Sequence, residues 1–166
     1  MAPGLHPGAR GHRAAKLSVK ALLQRVVRGE VRVEGQVVGA IGQGLVILLG
    51  VGPADDEATA DEQARRAAEL RIFRDEDGRA NRSLLETGGA ALVVSQFTLY
   101  ADTRRGRRPG FTTAAQPELA ERLCRRYVEA LRALGVAVAT GRFGREMEVE
   151  RVNDGPFTIW LDSAER

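Results

Sequence analysis

Ser95-Gln96-Phe97-Thr98 closes an apolar run, Leu92-Val93-Val94, with a mixture of polar and apolar residues that simple alternation does not explain. Hydroxyls and backbone N–H groups gathered at a strand end suit an oxyanion, and therefore acyl chemistry. The same residues also suit a strand that turns its Ser95 and Thr98 hydroxyls onto backbone partners. Directly downstream, Arg104, Arg105, Arg107 and Arg108 surround Gly106 and are closed by Pro109-Gly110. Such a loop fits phosphate, because guanidinium groups pair bidentately with phosphate oxygens. A solvated surface loop is the other reading. Near the end of the chain stands Asn153-Asp154-Gly155-Pro156-Phe157-Thr158. Gly-Pro is ordinarily turn punctuation. Here it joins an alternating stretch (Met147, Val149, Arg151, Val152) to an apolar one (Phe157, Ile159, Leu161). It reads either as a tight hairpin turn or as a backbone shape needed for itself, X-Pro being the bond where a cis peptide costs little.

Several chemistries are excluded by composition. The two histidines, His6 and His12, lie near the N-terminus, and the single cysteine is Cys124. From Val19 onward no His/Cys metal cluster can be built, and no Ser-His-Asp or Cys-His constellation. We therefore expect no metal and no cofactor. A disulfide framework is impossible, which fits a reducing, cytoplasmic setting. No apolar stretch is long enough to span a membrane. The net charge is +3, but Arg10, Arg13 and Lys16 fall in an opening stretch without acids. The remaining 22 basic residues balance 22 acidic ones, so polyanion binding needs a local patch.

The elements that position these residues can be read from periodicity. Ala21–Val27 is strand-like, Val31 and Val33 continue it, and Glu34-Gly35 and Gly42-Gln43-Gly44 are turns. Leu45–Val51 is a continuous apolar run, as for a strand buried on both faces. The glycines around it lack the Gly-Lys-Ser/Thr and following helix of a phosphate loop. Asp55 or Asp56 caps a helix running to about Arg71, with an inner stripe of Ala60, Ala64, Ala67 and Ala68. Ala91–Tyr100 is a second strand-like run. Pro117 opens another helix, with Leu119, Leu123, Tyr127, Leu131 and Leu134 at helical spacing and Gly135 as its stop. Cys124 beside that stripe reads as a small buried hydrophobe. Val136–Ala139, Met147–Val152 and Phe157–Leu161 close the pattern. The class is α+β: mainly antiparallel strands with two main helices. Residues 1–18 read as a disordered extension and residues 19–166 as one domain.

Taken together, Ser95-Gln96-Phe97-Thr98-Leu99, Ala101-Asp102-Thr103, Arg107, Pro109 and Asn153-Asp154-Gly155-Pro156-Phe157-Thr158 resemble the D-aminoacyl-tRNA deacylases of the bacterial and eukaryotic type. Gln24-Arg25-Val26, Gly50-Val51, Arg71-Ile72-Phe73 and Thr140-Gly141-Arg142-Phe143 extend the resemblance across Val19–Leu161. The resemblance implies an open-barrel homodimer that hydrolyses the ester between a D-amino acid and the 3′ end of tRNA. It implies that Gly155-Pro156 is cis and enters the partner's active site, where its carbonyls exclude an L side chain and admit D-residues and glycine. It implies that Ser95, Gln96, Phe97 and Thr98 line the pocket, with N–H groups around Gln96 and Phe97 for the oxyanion. Less directly, it implies that Arg25 holds the Gly-Pro element and that Met147 is a pocket wall.

Thr98 leaves two mechanisms open. It can act as a nucleophile, although that needs an adjacent base. Alternatively the terminal 2′-hydroxyl of the tRNA assists, and the protein supplies positioning and charge stabilisation. We favour the second. A non-catalytic RNA-binding or dimerisation module using the arginine loop is the rival reading, and a hydrolase of small esters is a third. The stretch before Val19 has no counterpart in the family. It reads as a misassigned start, with Val19 the initiator, or as an added basic tail that assists tRNA binding.

Overall fold

The structure, a computed structural model, describes residues 17–165. The expectations for residues 1–16 and Arg166 fall outside them. Ser18, assigned to the extension from sequence, donates through its backbone N–H to Asp55 Oδ1 (2.6 Å) and through its hydroxyl to Asp162 Oδ1 (2.8 Å).

Among the described residues there are eight strands and three α-helices: β1 (Lys20–Val33), β2 (Gln36–Ile41), β3 (Gly44–Gly50), α1 (Glu57–Glu69), β4 (Phe73–Arg74), β5 (Ala80–Arg82), α2 (Leu84–Thr87), β6 (Ala90–Ser95), α3 (Pro117–Ala133), β7 (Ala137–Thr140) and β8 (Glu148–Asp162). A 3-10 turn spans Phe97–Tyr100. β1 pairs antiparallel with β2, β3 and β8, as expected, whereas β3–β6 and β6–β7 are parallel. The sheet is therefore mixed. Parallel pairs need long crossovers, and α1 and α3 lie within the two that join β3 to β6 and β6 to β7.

β3 alternates between two apolar clusters. Leu45, Ile47 and Leu49 join Ala64, Ala67, Tyr127 and Leu131 of the helices, while Val46 packs with Val26, Val31, Leu92 and Val94 on the other face. That is the two-sided burial its apolar run predicts. The sheet curls until β2 meets β7. A Cβ on Gly39 would stand 2.4 Å from the Thr140 carbonyl oxygen, so only glycine allows this approach. The result is a nearly closed barrel with both long helices against one wall.

Both long helices begin where the sequence places them. Asp56 caps α1, accepting from the Thr59 N–H at 2.8 Å and the Thr59 hydroxyl at 2.7 Å. Pro117 opens α3, and Gly135 with φ +94° follows its end. The run Ala91–Tyr100 is not one strand. β6 ends at Ser95, because the Gln96 N–H makes a last bond to the Leu49 carbonyl (2.8 Å) and the chain then tightens into the 3-10 turn.

Candidate active site

The carboxyl ends of the parallel strands β3 and β6 open onto a cleft of about 640 Å³, where ligands settle in sheets of this kind. Ser95, Gln96 and Phe97 form one wall; Phe111, Phe143 and Met147 lie around it. A side hollow of about 240 Å³ runs between α3 and Thr140–Phe143, sharing Ser95, Cys124, Phe143 and Met147 with the cleft. A Cβ on Gly141 would meet Met147 Sδ at 2.5 Å, so the absence of a side chain there makes room for the thioether. The Arg142 N–H donates to the same sulfur at 3.4 Å. Phe97 is 57% exposed and meets Phe111 edge-on, with centroids 5.1 Å apart. Exposed aromatics at a cleft mouth offer a face to a flat ligand.

The donors differ from the sequence expectation in one respect. The Gln96 N–H is consumed by the Leu49 carbonyl and is unavailable to a substrate. The N–H groups of Phe97 and Thr98, which open the 3-10 turn, have no protein acceptor among the described residues. They are the pair that can face a developing oxyanion. Thr98 is exposed and does not line the cleft itself. Its Oγ1 accepts a hydrogen bond from Gln96 Nε2. An amide is no base in either orientation, so the hydrogen-bond partner this hydroxyl has among the described residues cannot take its proton. Ser95 bonds to the thiol of Cys124, whose burial pushes it up to about 12. That thiol is a packing group in the cleft wall rather than a nucleophile.

Gly155-Pro156 is not a hairpin turn. β8 runs through it, and the Gly155-Pro156 peptide is cis. Asn153 pairs with Val26 and Thr158 with Gln24, so the four residues between them stand opposite Arg25 alone as a wide bulge. Arg25, 5% exposed, holds that bulge. Its Nε donates to the Asp154 carbonyl (3.0 Å), its Nη1 donates to the Ile72 carbonyl (2.7 Å), and its guanidinium lies 4.5 Å from the centre of the Phe157 ring. Asn153 Oδ1 accepts from the Phe157 N–H (2.8 Å), and Asn153 Nδ2 donates to Thr158 Oγ1 (3.1 Å). Gly155 and Pro156 themselves are exposed.

Two groups of sequence-predicted residues thus form, and they are apart. Ser95, Gln96, Phe97 and Met147 share the cleft, with Thr98 at its edge. Arg25, Asn153, Gly155 and Pro156 share the bulge. The register places the bulge level with Leu45 and Ala91, three strands across from β6 and four residues along it from Ser95. That is about 14 Å across and about 13 Å along the sheet.

The arginine loop projects beside Phe111. A bridge between Asp102 and Gly110 closes its base, with N–H to carbonyl distances of 2.7 and 2.9 Å. Arg104 is spoken for: its Nε and Nη2 both reach Asp102 at 2.9 Å and hold that carboxyl near 2. Arg105, Arg107 and Arg108 are exposed and have no protein partner among the described residues. Sequence reasoning missed Arg74, Phe111 and Phe143. Arg74 and Asp154 are eighty positions apart, so their pairing leaves no local signal. Phe143 stood within a quoted motif but carried no assigned role. Among the described residues, no group of three His, Cys, Asp or Glu side chains is placed to hold a metal.

This fold and cleft define a barrel with backbone donors for acyl chemistry and, among the described residues, no base hydrogen-bonded to the Thr98 hydroxyl. The family model for D-Tyr-tRNA(Tyr) deacylase matches residues 22–162. A D-aminoacyl-tRNA deacylase of Symbiobacterium thermophilum is 63% identical over 145 residues, 87% of this chain and 96% of that protein. One from Roseiflexus sp. (strain RS-1) is 63% identical over 146 residues, 88% and 94% of the two chains. Among solved structures, the c-Myc DNA Unwinding Element Binding Protein superposes with a TM-score of 0.81 at 37% identity, covering 87% of this chain and 98% of that one. A probable eukaryotic D-amino acid tRNA deacylase shares the fold with a TM-score of 0.77 at 18% identity, covering 88% and 100%. The chain belongs to the D-Tyr-tRNA(Tyr) deacylase family and is an enzyme of the hydrolase class.

Proposed function

We propose that this enzyme hydrolyses the ester bond of D-aminoacyl-tRNA, releasing tRNA and the free D-amino acid. Glycyl-tRNA is a second substrate, and L-aminoacyl-tRNA is rejected. The observation that carries the proposal is the cleft at Ser95–Phe97, with two backbone donors unpaired among the described residues and an amide rather than a base hydrogen-bonded to Thr98. In this reading the ester carbonyl lies against the Phe97 and Thr98 N–H groups. They stabilise the negative charge that develops as water adds to the carbon. The 2′-hydroxyl of the terminal ribose, held beside the ester, orients that water and assists proton transfer. The bond to the 3′-oxygen then breaks, and that oxygen leaves with a proton as the tRNA 3′-hydroxyl.

Chiral rejection is assigned to Gly155-Pro156 of a second copy. The separation along the sheet supports this, because the bulge is too far across its own chain to reach its own cleft. Its carbonyls occupy the space an L side chain needs and spare a D side chain or a hydrogen. Ser95 and Gln96 shape the wall, Met147 and Phe143 form the opposite one, and Arg25 with Asn153 keeps the gate in place. Arg105, Arg107 and Arg108, and Arg104 once released from Asp102, contact tRNA phosphates. The enzyme is then a homodimer acting where translation occurs, in the cytoplasm. No helix of the described chain is long and apolar enough to cross a membrane.

Thr98→Ala tests the chemistry. The substrate-assisted route predicts deacylation within about tenfold of the parent, whereas loss of a true catalytic group costs about 10²–10⁴. A fall to the rate of free water rules out the substrate-assisted route.

A further inference from the structure

We infer that Arg74 is a positioning residue for stereochemical selection, acting through Asp154 on Gly155-Pro156. The inference rests on the gate reading above.

Asp154 is the residue immediately before Gly155, so its placement sets the direction in which the bulge leaves the sheet. Two grips hold it. From beneath, buried Arg25 takes its carbonyl at 3.0 Å. From outside, Arg74 takes its carboxylate with both guanidinium nitrogens, Nη1 to Oδ2 at 2.6 Å and Nη2 to Oδ1 at 3.0 Å. Both grips trace to one short segment. Ile72 gives Arg25 its carbonyl, and Arg74, two residues on in β4, gives the second guanidinium. A planar two-point contact fixes orientation as well as distance. Asn153 ties the far side of the bulge through the Phe157 N–H. With Arg74 removed, the Asp154 carboxylate keeps only the longer contact from Arg25 Nε to Oδ2 at 3.6 Å, and the gate keeps only its inner anchors.

Arg74 meets Asp154 in the bulge, which stands opposite Arg25 and is therefore remote from Ser95–Thr98 in its own chain. It has no route to the oxyanion donors there. Its loss therefore registers in the ratio of D- to L-aminoacyl-tRNA deacylation. That ratio cancels everything the two substrates share, including phosphate contacts. The pair is partly exposed, with Arg74 at 48% and Asp154 at 24%, which sets the expected effect at about fivefold and makes it sensitive to salt.

The experiment measures kcat/KM for D-Tyr-tRNA and L-Tyr-tRNA with wild type, Arg74→Ala, Arg74→Lys, Asp154→Asn and Gly155→Ala, at low and high potassium chloride. The expected result is a D/L ratio about fivefold lower in Arg74→Ala and Asp154→Asn and intermediate in Arg74→Lys. A double variant carrying both Arg74→Ala and Asp154→Asn, measured alongside, should lose no more than either single one. Wild type should drift toward the Arg74→Ala ratio as salt rises, with that variant's ratio flat. An unchanged ratio in Arg74→Ala, or salt drift equal in both proteins, overturns the inference. Gly155→Ala separates the two levels, since its Cβ would crowd the Phe157 nitrogen at 3.0 Å and Arg25 Nη2 at 3.1 Å. If Gly155→Ala alone collapses the ratio, the gate stands and the role of Arg74 falls. If Gly155→Ala also leaves it intact, the gate reading itself fails.

Discussion

Thr98 has an amide for a neighbour, and the half-buried Cys124 lines the cleft; together they limit the nucleophiles the cleft can offer. The Gln96 amide donates to Thr98 Oγ1 and cannot accept its proton. The Cys124 thiol is pushed up to about 12, chiefly by burial, so almost none of it is thiolate near neutrality. Native protein treated with iodoacetamide at pH 8 should therefore alkylate at least about tenfold more slowly than unfolded protein, as read by mass spectrometry. Equal rates would contradict the packing role. Ser95 through Thr98 were legible as a site because their types break the strand pattern. Which N–H groups are free was not. That depends on the Leu49 carbonyl taking the Gln96 N–H, a contact made by a strand far away in sequence. Arg104 shows the same gap: four arginines are visible, and only the fold shows that Asp102 holds one of them.

At the scale of elements, local signals carried the helices and tertiary pairing carried the rest. Asp56 and Pro117 mark true helix starts because caps act within one turn. The parallel pairing of β3, β6 and β7 has no such mark, since it is set by crossovers. β8 runs through Gly155-Pro156 because β1 lies beside it throughout, with Arg25 filling the gap left by the bulge. Two substitutions test these elements. Gly39→Ala forces β2 away from the Thr140 carbonyl and should cost about 1–3 kcal/mol, read as a lower urea midpoint at unchanged slope. An unchanged midpoint would mean that the barrel seam is looser than the 2.4 Å approach requires. Asp56→Ala should cost about 1 kcal/mol at neutral pH. Thr59 holds the folded Asp56 carboxyl below its ordinary range. Its contribution is thus full above the usual carboxylate pKa and lost as pH falls through the folded value. The difference between wild type and Asp56→Ala should shrink on acidification. A difference that grows would contradict the capping role.

For the whole molecule, the long outer strand and the separated halves of the site point the same way. Val27, Val37, Val152 and Trp160 are between 41% and 55% exposed, a scatter of apolar surface that a second copy can cover. Light scattering should return the mass of a dimer, and a variant forced to be monomeric should lose chiral discrimination. An active, D-specific monomer would show that the gate does not act across subunits. Deacylation of D-Tyr-tRNA and L-Tyr-tRNA, measured side by side on the purified enzyme, tests the central claim most directly. Rapid release from the D form with the L form left at its spontaneous rate is the predicted result. No release from the D form, or equal release from both, would contradict it.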